Sequence, residues 1–580
     1  MAESSRSYKA EKVLERMKIK LTRQIAGSLW ACVHCGRCAD SCHYVLTNPD
    51  DPTYSPAYKA DLIRRIFKRH HDWTGRIFPW FVKAGSIYTD EELEEIKDTV
   101  FGKCTNCRRC SINCPMGVDF ATANRMMRGL LVHVGIMPAG VEVVSKDQWE
   151  IGNQMGVLKE DYVETLEWMS EEVIKEVNDP TAVIPIDKMD ANIVYSINPR
   201  EVKYDPRTIA DIAKVFWAAQ ENWTMPSDAW DMTNFGLFSG DDELGGAVAQ
   251  RLYEKVIELR GQKLVISECG HGYRSTRCEG PNWSGFGIPF VMESSVVTML
   301  RYIKEGRIKV DKAKNTIPVT FHDSCNNARS CGLFEEPREL LSLVCSDFRE
   351  MYPNRAETFC CTGGGGAMSM SEYTPRRLKS AKIKADQMEA TGAKIVATSC
   401  HNCVDGLTDV IRHYKLGMQV TQLVNLVASA LVYEVKVAVP EKIEKAIPAP
   451  SLEGYRILVV DDEPDTLVYL TTVLEDNGAV TFSALSGEEA IETARKEKPD
   501  LITLDLSMPG KDGGVIFKEL RSDPELAGIK VCIVTGKPEL RGLIYDRHIS
   551  PPDGFLDKPI SEESLLLNTR KILELPHHEP

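Results

Sequence analysis

The chain has 580 residues, too many for one ordinary domain, and its length suggests three or four. At 43% hydrophobic and 27% charged it has the composition of a folded globular protein. A formal charge of −14 with no concentrated Lys/Arg stripe argues against nucleic acid as a partner.

Residues 1–20, MAESSRSYKAEKVLERMKIK, are polar and charged and have no apolar signal-peptide core. No uninterrupted apolar run reaches the roughly 18 residues of a membrane span. VNLVASALV at 424–432 is too short and reads as a buried helix. The 18 cysteines fall into tight clusters. Without an export signal, that pattern points to metal rather than disulfides, and to the cytoplasm.

CVHCGRCADSC carries Cys32, Cys35, Cys38 and Cys42, and CTNCRRCSINCP carries Cys104, Cys107, Cys110 and Cys114. Both read C-x2-C-x2-C-x3-C. In this spacing three cysteines hold one cluster and the fourth ligates its neighbour. One [4Fe–4S] cluster is therefore assigned to Cys32, Cys35, Cys38 and Cys114, and the other to Cys104, Cys107, Cys110 and Cys42. A pair of zinc sites is the alternative, but zinc ribbons use two pairs of ligands, not two matched quartets. The stretch between the quartets has helical periodicity in AYKADLIRRIFKRH (57–70) and TDEELEEIKDTV (89–100). Residues 1–150 thus look like an α-helical ferredoxin domain. Arg108 and Arg109, beside the second quartet, are read as a solvated face.

Residues 190–435 contain a repeat. GQKLVISECGHG (261–272) aligns without gaps to GAKIVATSCHNC (392–403), and each follows an expected helix, over 244–260 and 375–391. ANIVYSIN (191–198) takes the place of IPVTFHDSC (317–325). The expectation is a degenerate first α/β unit with a helical insert over 151–315 and a second unit over 316–435. The second keeps Cys325, Cys360, Cys361, Cys400 and Cys403, in the pattern C-x34-CC-x38-C-x2-C. Ligand sites in open α/β sheets collect at the carboxyl ends of strands, so these five can converge. In the first copy only Cys269 survives, opposite Cys400, with Gly272 at the place of Cys403. Cys331, Cys345 and Cys532 read as core, Cys278 as a remnant of the degenerate copy, and His271 and His401 as packing residues.

The C…CC…CxxC unit resembles the cysteine-rich (CCG) domain. Ferredoxin quartets followed by two such units resemble the catalytic iron–sulfur subunit of membrane-bound heterodisulfide reductase, and the K-type subunit of the sulfite-reduction-linked membrane complex. The resemblance covers residues 10–435. It implies that Cys325, Cys360, Cys361, Cys400 and Cys403 hold a non-cubane [4Fe–4S] cluster. Gly363, Gly364, Gly365 and Gly366 would let the backbone wrap it. Thr362 stands where the family has Gly. The implied chemistry is reduction or oxidation of a disulfide/thiol substrate, with the half-reduced sulfur held on the cluster while single electrons arrive from the two cubanes. His322 is the proton-donor candidate, since thiol release consumes protons.

KVAVPEKIEKAIPAPSLE (436–453) is a semi-rigid linker. After it, RILVVDDE (456–463), LITLDLSMPG (501–510), KVCIVTG (530–536) and GFLDKPI (554–560) are buried-type strands alternating with helical segments. Residues 454–580 are thus expected to form a doubly wound, flavodoxin-like α/β domain, and they resemble a response-regulator receiver. The resemblance implies phosphorylation at Asp505, Mg²⁺ held by Asp461, Asp462 and Asp505, phosphoryl contacts from Thr535 and Lys558, and a switch aromatic at Phe555.

The fold class expected is multidomain α plus α/β. The expected function is an iron–sulfur oxidoreductase subunit, cytoplasmic or peripheral at the inner face of a membrane, whose docking or turnover is set by receiver phosphorylation. Its partners would be a membrane cytochrome b or quinone-linked subunit, or a soluble flavoprotein or hydrogenase, with a histidine kinase as phosphodonor. Two other readings stand beside it: a redox-sensing two-component protein, and an electron relay to a quinone-linked or hydroxyacid-oxidising partner.

Overall fold

A computed structural model describes residues 6–285, 287–433, 451–506, 508, 513–535, 552–558, 560 and 562–573. The chain divides into two compact units, residues 1–438 and 439–580. Most of the expected linker lies outside the described residues. Among the described residues no helix is long and apolar enough to cross a membrane.

The first unit begins all-helical. Helices Tyr8–Lys20, Arg23–Ala31, Pro56–His71, Asp90–Gly102 and Phe120–His133 share one apolar core built from Val13, Met17, Ile63, Ile66, Val100, Met127 and Leu130. Pro56–His71 and Asp90–Gly102 are the two helices expected between the cysteine quartets. The second starts at a reciprocal cap, with Thr89 and Glu92 each satisfying the other's backbone N–H.

Two four-stranded parallel sheets follow. The first contains β1 (Ile193–Ser196), β2 (Trp223–Thr224), β3 (Lys263–Ile266) and β4 (Val291–Ser294), in the order β2-β1-β3-β4. After the short β5 (Lys309–Val310), the second contains β6 (Val319–His322), β7 (Phe348–Arg349), β8 (Ile395–Thr398) and β9 (Gln419–Gln422), in the order β7-β6-β8-β9. The strand orders match, as a duplicated unit requires. β10 (Leu431–Val432) returns to pair antiparallel with β5. The copies share a core in which Ile193, Tyr195 and Val265 pack with Val319, Phe321 and Ala397. Cys345 belongs to that core. The helix expected over 375–391 is broken at Ala381 into Thr374–Ser380 and Lys382–Ala390.

In the second unit β11 (Arg456–Val460), β12 (Val480–Ala484), β13 (Leu501–Asp505), β14 (Lys530–Thr535) and β15 (Gly554–Asp557) form a parallel sheet ordered β12-β11-β13-β14-β15. Leu458 and Val460 face one core, Ile457 and Val459 the other. Alternation along a strand buried on both faces places helices on both sides of the sheet. Cys532 is buried in β14.

Candidate functional site

The eight N-terminal cysteines line two cavities, each taking three cysteines from one run and the fourth from the other. Cys32, Cys35, Cys38 and Cys114 line one, and Cys42, Cys104, Cys107 and Cys110 the other. Short loops between helices make this possible. Their tight turns place Gly36, Asn106 and Arg108 in the left-handed region, which lets the chain coil round a point. The Asn106 N–H donates to the Cys104 Sγ at 3.4 Å. Burial pushes the Cys38 thiol up to about 11 and raises Cys42 and Cys110 as well. Four converging thiolates would repel one another in so dry a site, and a cationic metal core removes that penalty. All-sulfur donor sets suit iron–sulfur clusters, so the residues fit the group.

The third constellation sits at the carboxyl ends of β6 and β8. Cys325 follows β6, Cys400 follows β8, and Cys403 lies in the first turn of helix His401–Tyr414. Cys360 and Cys361 lie on the loop that follows the single helical turn Arg355–Glu357. All five are buried. Ligand atoms of His322, Cys361 and Cys403 lie within 4.8 Å of one another. Hydrogen bonds from Cys360 and Cys403 hold the Cys361 thiol well below its usual range. The Cys360 Sγ accepts the Thr362 N–H at 3.2 Å and the Thr105 hydroxyl at 3.4 Å. His322 is fully buried, and burial holds its ring neutral. Neither ring nitrogen has a hydrogen-bond partner among the described residues. This donor set too fits a thiolate-bound cluster.

The glycines after the cysteine pair are not equivalent. A Cβ on Gly363 would lie 2.2 Å from the Asn402 carbonyl oxygen, and one on Gly365, at φ +67°, 2.5 Å from the Thr105 carbonyl oxygen. A Cβ on Gly364 would meet nothing nearer than 3.7 Å. Thr362 is buried with φ +70°. It occupies the backbone conformation for which glycine is suited, although it is β-branched.

The second quartet packs directly against this site. Arg109, read in the sequence as solvated, is not. Its guanidinium covers the Phe359 ring at 3.8 Å and donates to the Glu357 and Ser41 carbonyls, at 2.8 Å each. Arg108 keeps a half-exposed ion pair with Asp119 at 3.1 Å. Arg329 donates to the Cys107 carbonyl. Arg128, fully buried, donates to the carbonyls of Val100, Phe238, Gly365 and Cys104 at 2.6–2.9 Å, and no carboxylate pairs with it among the described residues. A buried cation needs a counter-charge, and thiolate-held clusters are anionic. Sequence reasoning missed Arg128, because an isolated arginine in a helix carries no spacing signal.

The degenerate copy contributes as well. Cys269 lies against Cys400, its Sγ 3.2 Å from the His271 Nδ1. The His401 Nε2 is 2.8 Å from the Glu201 carboxylate. Cys331, expected in the core, is half-buried: it packs against the edge of the core cluster that includes Tyr273 and Leu333, and its sulfur faces Cys278.

In the C-terminal unit, carboxylate atoms of Asp461, Asp462 and Asp505 lie within 4.8 Å of one another at the ends of β11 and β13. The Lys558 Nζ is 2.6 Å from Asp461 and 2.8 Å from Asp505. Burial raises the Asp461 carboxyl. Three crowded carboxylates fit a divalent cation with oxygen ligands. The side chains of Thr535 and Phe555 lie outside the described residues.

Residues 28–118 match the 4Fe-4S dicluster domain family, residues 319–407 the cysteine-rich domain family, and residues 457–570 the response regulator receiver domain family. The chain is similar to an Hdr-like menaquinol oxidoreductase iron-sulfur subunit 2 of Archaeoglobus fulgidus, 26% identical over 72% of this chain and 83% of that one. It is similar to a dihydromethanophenazine:CoB–CoM heterodisulfide reductase subunit of Methanosarcina mazei, 26% identical over 70% of this chain and 95% of that one. Its C-terminal part is similar to protein PilH of Pseudomonas aeruginosa, 36% identical over 20% of this chain and 97% of PilH.

Proposed function

We propose a function for a chain that carries a 4Fe-4S dicluster domain and a cysteine-rich domain, and whose C-terminal unit belongs to the response regulator receiver family. It is an iron–sulfur oxidoreductase subunit that exchanges electrons with a disulfide/thiol substrate, under control of receiver phosphorylation. Two [4Fe–4S] clusters would be held by the crossed quartets, and a non-cubane [4Fe–4S] cluster by Cys325, Cys360, Cys361, Cys400 and Cys403. Clusters so held would supply one-electron transfer and, at the third site, thiophilic iron beside the disulfide/thiol substrate.

The observation that carries the reading is the 3.4 Å hydrogen bond from Thr105, between Cys104 and Cys107, to the Cys360 Sγ. It joins the ligand loops of the second and third sites with no spacer. Arg128 and Arg329 clamp the same two loops through their carbonyls. Burial holds the His322 ring neutral, so the expected proton donor would instead give the departing thiolate a ring N–H hydrogen bond, the proton itself coming from solvent. In the receiver, Asp461, Asp462 and Asp505 would hold Mg²⁺, Asp505 would also accept the phosphoryl group, and Lys558 would bind its oxygens. A histidine kinase would be the donor. Similarity to a menaquinol oxidoreductase subunit supports a quinone-linked membrane partner for the electrons.

Anaerobically isolated protein, tested with reduced viologen and a panel of disulfides, checks the reading. Thiol release that stops in Cys360→Ser is expected. A chain with its full iron complement that reduces no disulfide would return it to the redox-sensing class.

A further inference from the structure

Eighteen cysteines occur in the chain, and thirteen are absorbed by the three ligand sets. Of the other five, Cys269, Cys345 and Cys532 are buried. Cys278 is exposed and Cys331 half-buried, and their sulfurs lie 3.5 Å apart although 53 positions separate them in sequence. Cys278 sits on the wide helical turn Arg274–Glu279 of the first α/β copy. Cys331 follows the matching wide turn, Asn326–Ser330, of the second. The pair therefore bridges the two copies.

We propose that Cys278 and Cys331 form a redox-active dithiol site outside the cluster ligands, whose substrates are disulfides. Cys278 is the attacking thiol and Cys331 the resolving one. A disulfide bond needs the sulfurs at about 2 Å, so closure requires an approach of about 1.5 Å, within reach of two side chains at the surface. Cys278 is exposed and beside Arg277, so it is the sulfur a disulfide can reach, while Cys331 is half-buried. Hydrogen bonding within the pair and Arg277 bring the Cys278 thiol down to about 7 and raise Cys331, in line with that order of attack. The Cys278 thiolate bonds to one sulfur of a disulfide RSSR and expels RS⁻. Cys331, losing its proton, then bonds to the Cys278 sulfur and expels the second RS⁻. Two protein thiols are oxidised, RSSR is reduced to two RSH, and the two protons balance the leaving thiolates.

The test uses the full chain, cluster-loaded and anaerobic, with glutathione disulfide as probe and peptide mapping by mass spectrometry. A Cys278–Cys331 cross-link is expected with the cluster spectrum unchanged. Cys331→Ser should trap glutathione on Cys278. In Cys278→Ser the reaction at Cys331 should slow by more than about tenfold, following the lost thiolate fraction. Failure to cross-link in wild type, or glutathione held on Cys278 without transfer to Cys331, overturns the proposal. The unchanged cluster spectrum of each variant separates either result from misfolding.

A different observation carries a second inference. Within residues 73–81, Trp73, Ile77, Phe78, Trp80 and Phe81 are exposed, Trp80 by 78% and Phe81 by 74%. The exposed charges beside them, Arg76 and Lys83, are both positive. Arg64 is buried in an ion pair with Asp61, which leaves five Lys/Arg that are not buried over 62–88, at 65, 68, 69, 76 and 83, against one acid in that stretch, the buried Asp72, in a chain that is acidic overall. Aromatic rings with an adjacent cationic rim match the boundary between acyl chains and anionic headgroups. We infer that this segment seats the protein on an anionic bilayer surface. Cosedimentation of the cluster-loaded chain with phosphatidylcholine vesicles, with and without phosphatidylglycerol, tests it. Binding only to the anionic vesicles is expected, weakened by salt and lost in Trp80→Ser/Phe81→Ser with iron content retained. No binding to lipid, or binding only to a membrane protein added to the vesicles, overturns it.

Discussion

Gly363→Ala should remove the third centre and leave the other two. The added Cβ would stand 2.2 Å from the Asn402 carbonyl oxygen and 3.2 Å from the Gly406 Cα. Both neighbours are backbone, so no side chain can swing aside. Restoring ordinary contact requires a shift of about 1 Å. Asn402 lies between Cys400 and Cys403, so that shift draws Cys403 away from Cys361, whose sulfurs now lie within 4.8 Å. Overpacking of this kind costs about 1–3 kcal/mol. Gly364→Ala is the matched control, because its Cβ meets nothing closer than 3.7 Å. Both variants are reconstituted anaerobically, and iron, sulfide and low-temperature paramagnetic spectra are measured. Gly363→Ala should lose the iron and signals of one centre, and Gly364→Ala should match wild type. A full third centre in Gly363→Ala at unchanged stability, or equal losses in both variants, refutes the reasoning.

Cys114→Ser should abolish the cluster held with Cys32, Cys35 and Cys38 and spare the one beside Cys104, since the cavities are crossed; selective loss of the other signal would reverse the assignment. Arg128→Met takes this donor from the carbonyls of Phe238, Gly365 and Cys104, while Val100 keeps the Asn124 amide, and should lower stability by about 3–5 kcal/mol, read by denaturant unfolding of the cluster-loaded chain. Arg338→Met removes the guanidinium bound at 2.7–2.9 Å from Asp323 and Glu350, leaving buried Asp323 only the Arg355 N–H and Glu350 only the Arg355 guanidinium at 3.8 Å, and should cost a similar amount by the same measurement. Asp505→Asn should take up no acid-labile phosphate from acetyl phosphate with Mg²⁺, whereas wild type should incorporate about one per chain, one carboxylate being the acceptor.

What could be read in the sequence was local or repeated. The quartets announce themselves because ligand spacing within a loop is a local constraint, and the crossed grouping follows from the same spacing. The duplication was legible as the 261–272 and 392–403 alignment, and the strand orders β2-β1-β3-β4 and β7-β6-β8-β9 agree with it. β11, β13 and β14 were legible because each is a short apolar run buried on both faces, whereas the edge strand β12, reading VTFSA and half-exposed, carries no such run and was not read. Contacts between distant segments were not legible. Cys331 read as core because nothing near it in sequence names Cys278. Arg109 beside Arg108 looked like a solvated pair, yet it lies flat on Phe359, 250 positions away. The break at Ala381 interrupts a helix whose propensity is continuous, so tertiary packing sets that end.

The arginines at the junction of the second and third sites explain why these domains form one body. Arg128 lies in helix Phe120–His133 of the helical region, yet it donates to Gly365 beside the cysteine pair and to Cys104 of the second quartet. Arg329 lies in the second α/β copy and donates to Cys107. Each domain therefore sends a cation to the other's ligand loop, to the carbonyls of Cys104 and Cys107 themselves and to that of Gly365, four residues past the cysteine pair. Carbonyls satisfy the guanidinium donors but carry no net charge, so burial of Arg128 remains electrostatically costly unless anions stand close by. Clusters bound through cysteine thiolates are such anions. On this argument the same charges that hold the two loops together are balanced only when the metal sites are filled, and the junction should be weakest in the chain without iron.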